Sequence, residues 1–125
     1  MGLDQYAYKL KKGIISSAIP NQDIPSKELV EISYWRKHPN LQGWMEKLYS
    51  DKGGDEMFNC VYVQLTENDL ARLQEDILKN SFEDSVGPFW GDNSDEYYKS
   101  EDLEFIRKAL KSIEQGYDIL YYSWW

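Results

Sequence analysis

The residues best equipped for chemistry lie in one stretch, Tyr34-Trp35-Arg36-Lys37-His38-Pro39-Asn40-Leu41-Gln42-Gly43-Trp44. It brings together two tryptophans, a tyrosine, two cations, an asparagine and the only histidine of the chain. Arginine can grip a phosphate or carboxylate with two parallel hydrogen bonds, and a neighbouring indole or phenol can stack on a base. Pro39 suits the first position of a helix, and backbone amides at a helix start favour an anion. Arg36 and Lys37 would then hold the charged group, Trp35 would stack, and Asn40 would read a polar edge. The plainer reading has Trp44 in the core, Trp35 over a sheet and Arg36 paired with an acid.

His38 reads as a junction or helix N-cap residue. To act as a general base it would need an orienting acid, such as Glu31, Asp4 or Asp92, and a substrate proton within reach. Nothing in the spacing selects among those acids, and no nucleophile elbow accompanies them. A second cluster, Phe89-Trp90-Gly91-Asp92-Asn93-Ser94-Asp95-Glu96-Tyr97-Tyr98, reads either as a loop whose rings plug the core or as the lip of a pocket. In the second case Trp90 and Tyr97 join Trp35, Arg36, Lys37, His38 and Asn40 as ligand contacts. Its acids do not follow the EF-hand spacing. Cys60 falls in an apolar strand and reads as an inert core thiol. No metal-ligand spacing and no cofactor fingerprint is present, so no cofactor is expected.

The elements that must position these groups follow from periodicity. Residues 3–10 read as a first strand, with Tyr6, Tyr8 and Leu10 on one shared face by alternation. Residues 14–19 suggest a weaker second strand that stops at Pro20. Val30, Ile32 and Tyr34 alternate within residues 28–37, which reads as a strand. Leu41, Trp44, Met45, Leu48 and Tyr49 mark one face of a helix that Gly53-Gly54 ends. Residues 58–65 form a strand with apolar side chains on both faces, hence a central one. Thr66 and Asp69 open the next helix as a capping pair, with Leu70, Leu73, Ile77 and Leu78 inward. Another helix starts near Ser94 or Ser100 and turns Leu103, Ile106, Leu110 and Ile113 to the core. Residues 117–124 close the chain as a strand. Strands and helices mix without regular alternation, so the fold class is α+β: a mostly antiparallel sheet of four to five strands with about three helices on one face. The closing strand, if exposed at an edge, would allow a homodimer.

At 125 residues the chain reads as a single domain, 1–125, long enough to bury a core unaided. Tyr and Trp number 10 and 5 against 4 Phe, so most rings carry a polar tip that suits recognition surfaces. The net charge of −8 disfavours non-specific nucleic-acid binding. A single cysteine fits a reducing compartment, and neither a membrane span nor a signal peptide is legible.

Four blocks carry a resemblance: Met1-Gly2-Leu3-Asp4-Gln5-Tyr6-Ala7-Tyr8, the segment Tyr34 to Trp44, Phe89-Trp90-Gly91 with Tyr97-Tyr98, and the terminal Tyr121-Tyr122-Ser123-Trp124-Trp125. Together they resemble a family of small accessory proteins of tailed bacteriophages, notably cyanophages. Relatives often read Gly-Phe-Phe-Phe-Gly where this chain has Gly87-Pro88-Phe89-Trp90-Gly91. The resemblance implies an accessory role in a host bacterial cytoplasm and no established activity. Some relatives are labelled phosphoglycerate kinase, a role that 125 residues without a phosphate-cradling loop do not support. The leading expectation is a non-catalytic binding protein that modulates or counters a host system. It would take a small anionic, nucleotide-like ligand in an aromatic and basic pocket. The alternative is an acidic inhibitor of a host protein, acting through acids between Asp92 and Glu104 and imitating DNA. A small His38-dependent enzyme is the third reading.

Overall fold

Strand β1, Asp4–Lys11, runs beside the C-terminal strand β4, Tyr117–Trp124, and the two pair antiparallel from Asp4 opposite Trp124 to Lys11 opposite Tyr117. In the computed structural model, which describes residues 2–20, 24–79 and 95–125, two shorter strands complete the sheet. Strand β2, Val30–Arg36, pairs with β1, and β3, Tyr62–Leu65, pairs with β4. The order is β2-β1-β4-β3 and every pair is antiparallel. Helices α1 (Pro39–Asp51), α2 (Glu67–Leu78) and α3 (Asp95–Glu114) pack on one face, so the chain is α+β as its pattern implies.

The core lies between that face and the helices. Ala7, Trp35, Val63, Leu65, Ile119 and Tyr121 supply it from the sheet. Leu41, Met45, Leu48 and Tyr49 of α1, Leu70, Leu73 and Ile77 of α2, and Phe105, Ile106 and Ala109 of α3 supply it from the helices. Thr66 and Asp69 form the expected reciprocal capping box at the start of α2. Gly116 takes φ +96 in the two-residue turn Gln115-Gly116 from α3 into β4, where a side chain would be strained. Gly54 passes so close to the Tyr49 ring that an added Cβ would lie 2.3 Å from it.

Several expectations are corrected. Residues 14–19 form no strand; the Ala18 carbonyl accepts from Gln64 N at 2.8 Å on the outer edge of β3, and Ile19 packs against the core. Strand β3 is shorter than residues 58–65 and stands at an edge, not at the centre. The terminal strand is instead central, so it offers no free edge for pairing. On the opposite edge, Lys108 Nζ donates to the Ile32 carbonyl at 2.6 Å and Tyr98 Oη to the Arg36 carbonyl at 2.5 Å. Both side chains come from α3 and blunt β2 as a template for another strand.

Candidate functional site

A register shift between Ala7 and Tyr8 decides what β2 presents. Before the shift plain alternation holds, so Tyr34 is exposed opposite Tyr6 and Trp35 is buried opposite Gln5; past it Glu31 comes to lie opposite Tyr8 and Ile32 packs against the core. Trp35 donates its indole N–H to Asp102 Oδ1 at 2.9 Å and meets Phe105 edge-on at 5.0 Å. His38 is fully buried as the residue before α1, with its Nε2 2.7 Å from Asp102 Oδ2. A carboxylate can only accept, so Nε2 carries the proton. Tyr98 stacks on the imidazole at 4.2 Å. Gln5 grips the same junction at two points: its Oε1 accepts from His38 N at 2.8 Å and its Nε2 donates to His38 O at 3.1 Å. Gln5 Nε2 also donates to Tyr121 Oη, which donates onward to Gln42 Oε1 at 2.6 Å. This network locks β1, β2, β4, α1 and α3 together. Asn40 is buried beside it.

The candidate site residues therefore separate. Trp35, His38 and Asn40 are enclosed, whereas Arg36 and Lys37 are exposed. Lys37 adopts a left-handed backbone, φ 58, and its N–H donates to Leu3 O at 2.8 Å. That turn sends the chain from the sheet into α1 with the cations left outside. Trp90 and the side chain of Tyr97 lie outside the described residues. Asp102 replaces Glu31, Asp4 or Asp92 as the acid on His38. Being buried, it is withdrawn from the acidic surface expected between Asp92 and Glu104. Trp44 is only half-buried and donates to Asp76 Oδ2 at 2.8 Å.

The face of the sheet away from the helices carries a different constellation. Tyr34, Tyr6, Tyr122 and Tyr62 are successive cross-strand partners from β2 to β3. Their ring centroids are 5.1, 6.4 and 4.9 Å apart in that order. Tyr8 stacks beside Tyr6 at 5.9 Å. All five phenols are at least partly exposed, Tyr34 to 45%, and Trp124 at the end of β4 is 48% exposed. Alternation also puts Asp4, Glu31, Asp118 and Arg36 on this face. Tyr34 Oη donates to Asp4 Oδ1 at 2.5 Å. Glu31 lies opposite Tyr8, exposed, and makes no ion pair among the described residues.

Four of these phenols, Tyr8, Tyr34, Tyr62 and Tyr122, are pushed above the ordinary tyrosine value. Burial, aided by Tyr62, Glu31 and Tyr6, pushes Tyr8 up to about 12. The bond to Asp4 pushes Tyr34 up to about 12. Burial also raises Tyr62 and Tyr122, the latter helped by Cys60. Cys60 is thus exposed beside Tyr122 rather than in the core, and its φ of 61 is left-handed.

Tyr6, Tyr8 and Leu10 share one side of β1, as their period implies, and Leu10 is buried there. The helix-covered side takes Gln5 and Ala7. The signal for a half-covered tyrosine face was present: four of the strand segments carry tyrosine at positions that alternate with smaller or more apolar residues. Half-polar rings suit a half-covered face better than a dry core.

No family model matches this chain, and neither the curated proteins nor the solved structures compared with it include a significant match.

Proposed function

We propose that this chain is a non-catalytic accessory protein of phage origin that acts in the host bacterial cytoplasm by covering a partner protein with the open face of its sheet. The observation that carries this reading is the row Tyr34–Tyr6–Tyr122–Tyr62, which crosses all four described strands on the side away from α1, α2 and α3. Tyrosine and tryptophan are enriched where proteins meet, because a rigid ring offers contact area and a hydrogen bond at small entropic cost. The buried state of His38 and Asp102 favours a structural role for that pair over acid–base catalysis. Capture from host lysate tests the reading: a partner retained by the wild type and lost with Tyr34→Ser supports it, and capture indifferent to Tyr34→Ser and Tyr6→Ser refutes it.

A second reading keeps the small anionic ligand. It rests on Arg36, which shares the open face with Tyr34 and Tyr6 although not with Trp35. There the guanidinium would hold the anion and Tyr34 would stack. Calorimetry with nucleotides tests it, and Arg36→Ala is expected to weaken such binding about tenfold.

A further inference from the structure

The open face carries a charge pattern as well as rings, and the pattern says what kind of protein would fit. Three carboxylates, Asp4, Glu31 and Asp118, stand on it against one guanidinium, Arg36. Arg36 lies directly across from Asp4 at one end of the face. Glu31 and Asp118 lie toward the other end, opposite Tyr8 and Leu10; Leu10 and Leu120 are fully buried there, so the accessible part of the face is the tyrosine row with Glu31 at its margin. The chain as a whole carries −8, so a second copy would bring a like charge to this surface and a nucleic acid a denser one. A cationic partner is attracted by both the local and the net charge.

We propose that the occupant of the tyrosine face is an arginine-rich, extended segment of a basic partner protein. This deepens the reading above and rests on it. Guanidinium groups are attracted to the faces of aromatic rings, and they are weakly enough hydrated to leave water for such a site. The rings lie 4.9 to 6.4 Å apart across the strands. An extended chain repeats its side chains on one side about every 7 Å, a little more than the ring spacing, a mismatch that the long, flexible arginine stem can take up over two or three rings. Glu31, next to Tyr8 and without an ion pair among the described residues, would accept a two-point bond from one of the arginines.

The test uses the full chain and a synthetic peptide of alternating Arg and Gly, with three comparison probes: the same peptide with neutral citrulline for Arg, a Glu-Gly peptide, and a single-stranded oligonucleotide. Binding is read by fluorescence anisotropy at low and raised salt. The arginine peptide is expected to bind, weaken with salt, and exceed the citrulline peptide about tenfold. Glu31→Lys, an exposed change that leaves the core untouched, is expected to weaken it about tenfold, and Tyr34→Ser by a similar factor. Equal binding of the citrulline peptide, indifference to Glu31→Lys, or preference for the oligonucleotide overturns the proposal. If the lysate partner is lost with Tyr34→Ser but is not displaced by the arginine peptide, the proposal fails and the docking face stands. If neither the partner nor the peptide depends on this face, both fall.

Discussion

Trp35 and Arg36 are neighbours in β2 and belong to opposite sides of the sheet. The indole is 2% exposed and donates to Asp102, while the guanidinium faces solvent beyond Tyr34. One substitution should therefore act on folding and the other on the surface. Trp35→Ala is expected to cost about 3–5 kcal/mol, since it empties a core site and strips Asp102 of a donor. Arg36→Ala is expected to stay within about 0.5 kcal/mol. Urea unfolding of both variants checks the contrast; similar losses in the two would contradict it.

The pair His38–Asp102 ties the start of α1 to α3. Removing one member leaves the other buried without its partner, which costs about 3–5 kcal/mol. Asp102→Ala should thus destabilise far more than Glu101→Ala, the exposed neighbour on the same helix. Comparable midpoints for the two in thermal unfolding would show that the network is dispensable.

Asp69 links the α2 capping box to Lys52 and Arg72. Burial raises its carboxyl, but the Lys52 ammonium and the Thr66 N–H and hydroxyl outweigh that and hold it below the usual range. A carboxyl lowered by folding stabilises above its unfolded pKa of about 4, and that contribution disappears as pH falls through the folded value. At neutral pH Asp69→Asn should cost about 1–3 kcal/mol. The gap between variant and wild type should narrow in acid. A gap that is constant with pH would assign the effect to packing alone.

The tyrosine face has an alkaline signature of opposite sign. Tyr8 and Tyr34 titrate near 12 in the folded chain against an ordinary 10.0. A proton held more tightly by the folded state stabilises below the unfolded value and is lost as pH climbs through the folded one. Ultraviolet titration should show a phenolate step near 12 that shrinks in Tyr8→Phe and Tyr34→Phe. If every phenol ionises together near 10, these environments are wrong.

Cys60, exposed beside Tyr122, should react with a thiol reagent in the native protein at stoichiometric yield. A thiol that reacts only after unfolding would restore the core position its apolar neighbours suggest.

Fold class, the four observed strands and all three helices were legible from periodicity and from caps such as Thr66–Asp69, because those signals are local. What depends on tertiary placement was not. The β2 register shift placed Glu31 opposite Tyr8 and turned Ile32 toward the core, and no residue in β2 announces it. Asp102 looked like one more acid on a charged helix, since only the arrival of Trp35 and His38 from β2 and its junction makes a carboxylate tolerable in the core. The edge position of β3 was hidden because the loop carrying Ala18 covers it and lets apolar side chains sit on both faces. The candidate site was half legible. Its aromatic and basic residues were identified, but their partition between core and open face was set by the sheet.

The central claim concerns one surface, so the most direct measurement places a photo-reactive phenylalanine analogue on it. The analogue replaces Tyr34, 45% exposed, in one protein and, as a control, exposed Arg107 on α3 in another, and each is irradiated in the lysate of the proposed bacterial host. The account predicts a discrete protein adduct from position 34 and none from position 107. An adduct formed through position 107, or the same adducts from both, would contradict it.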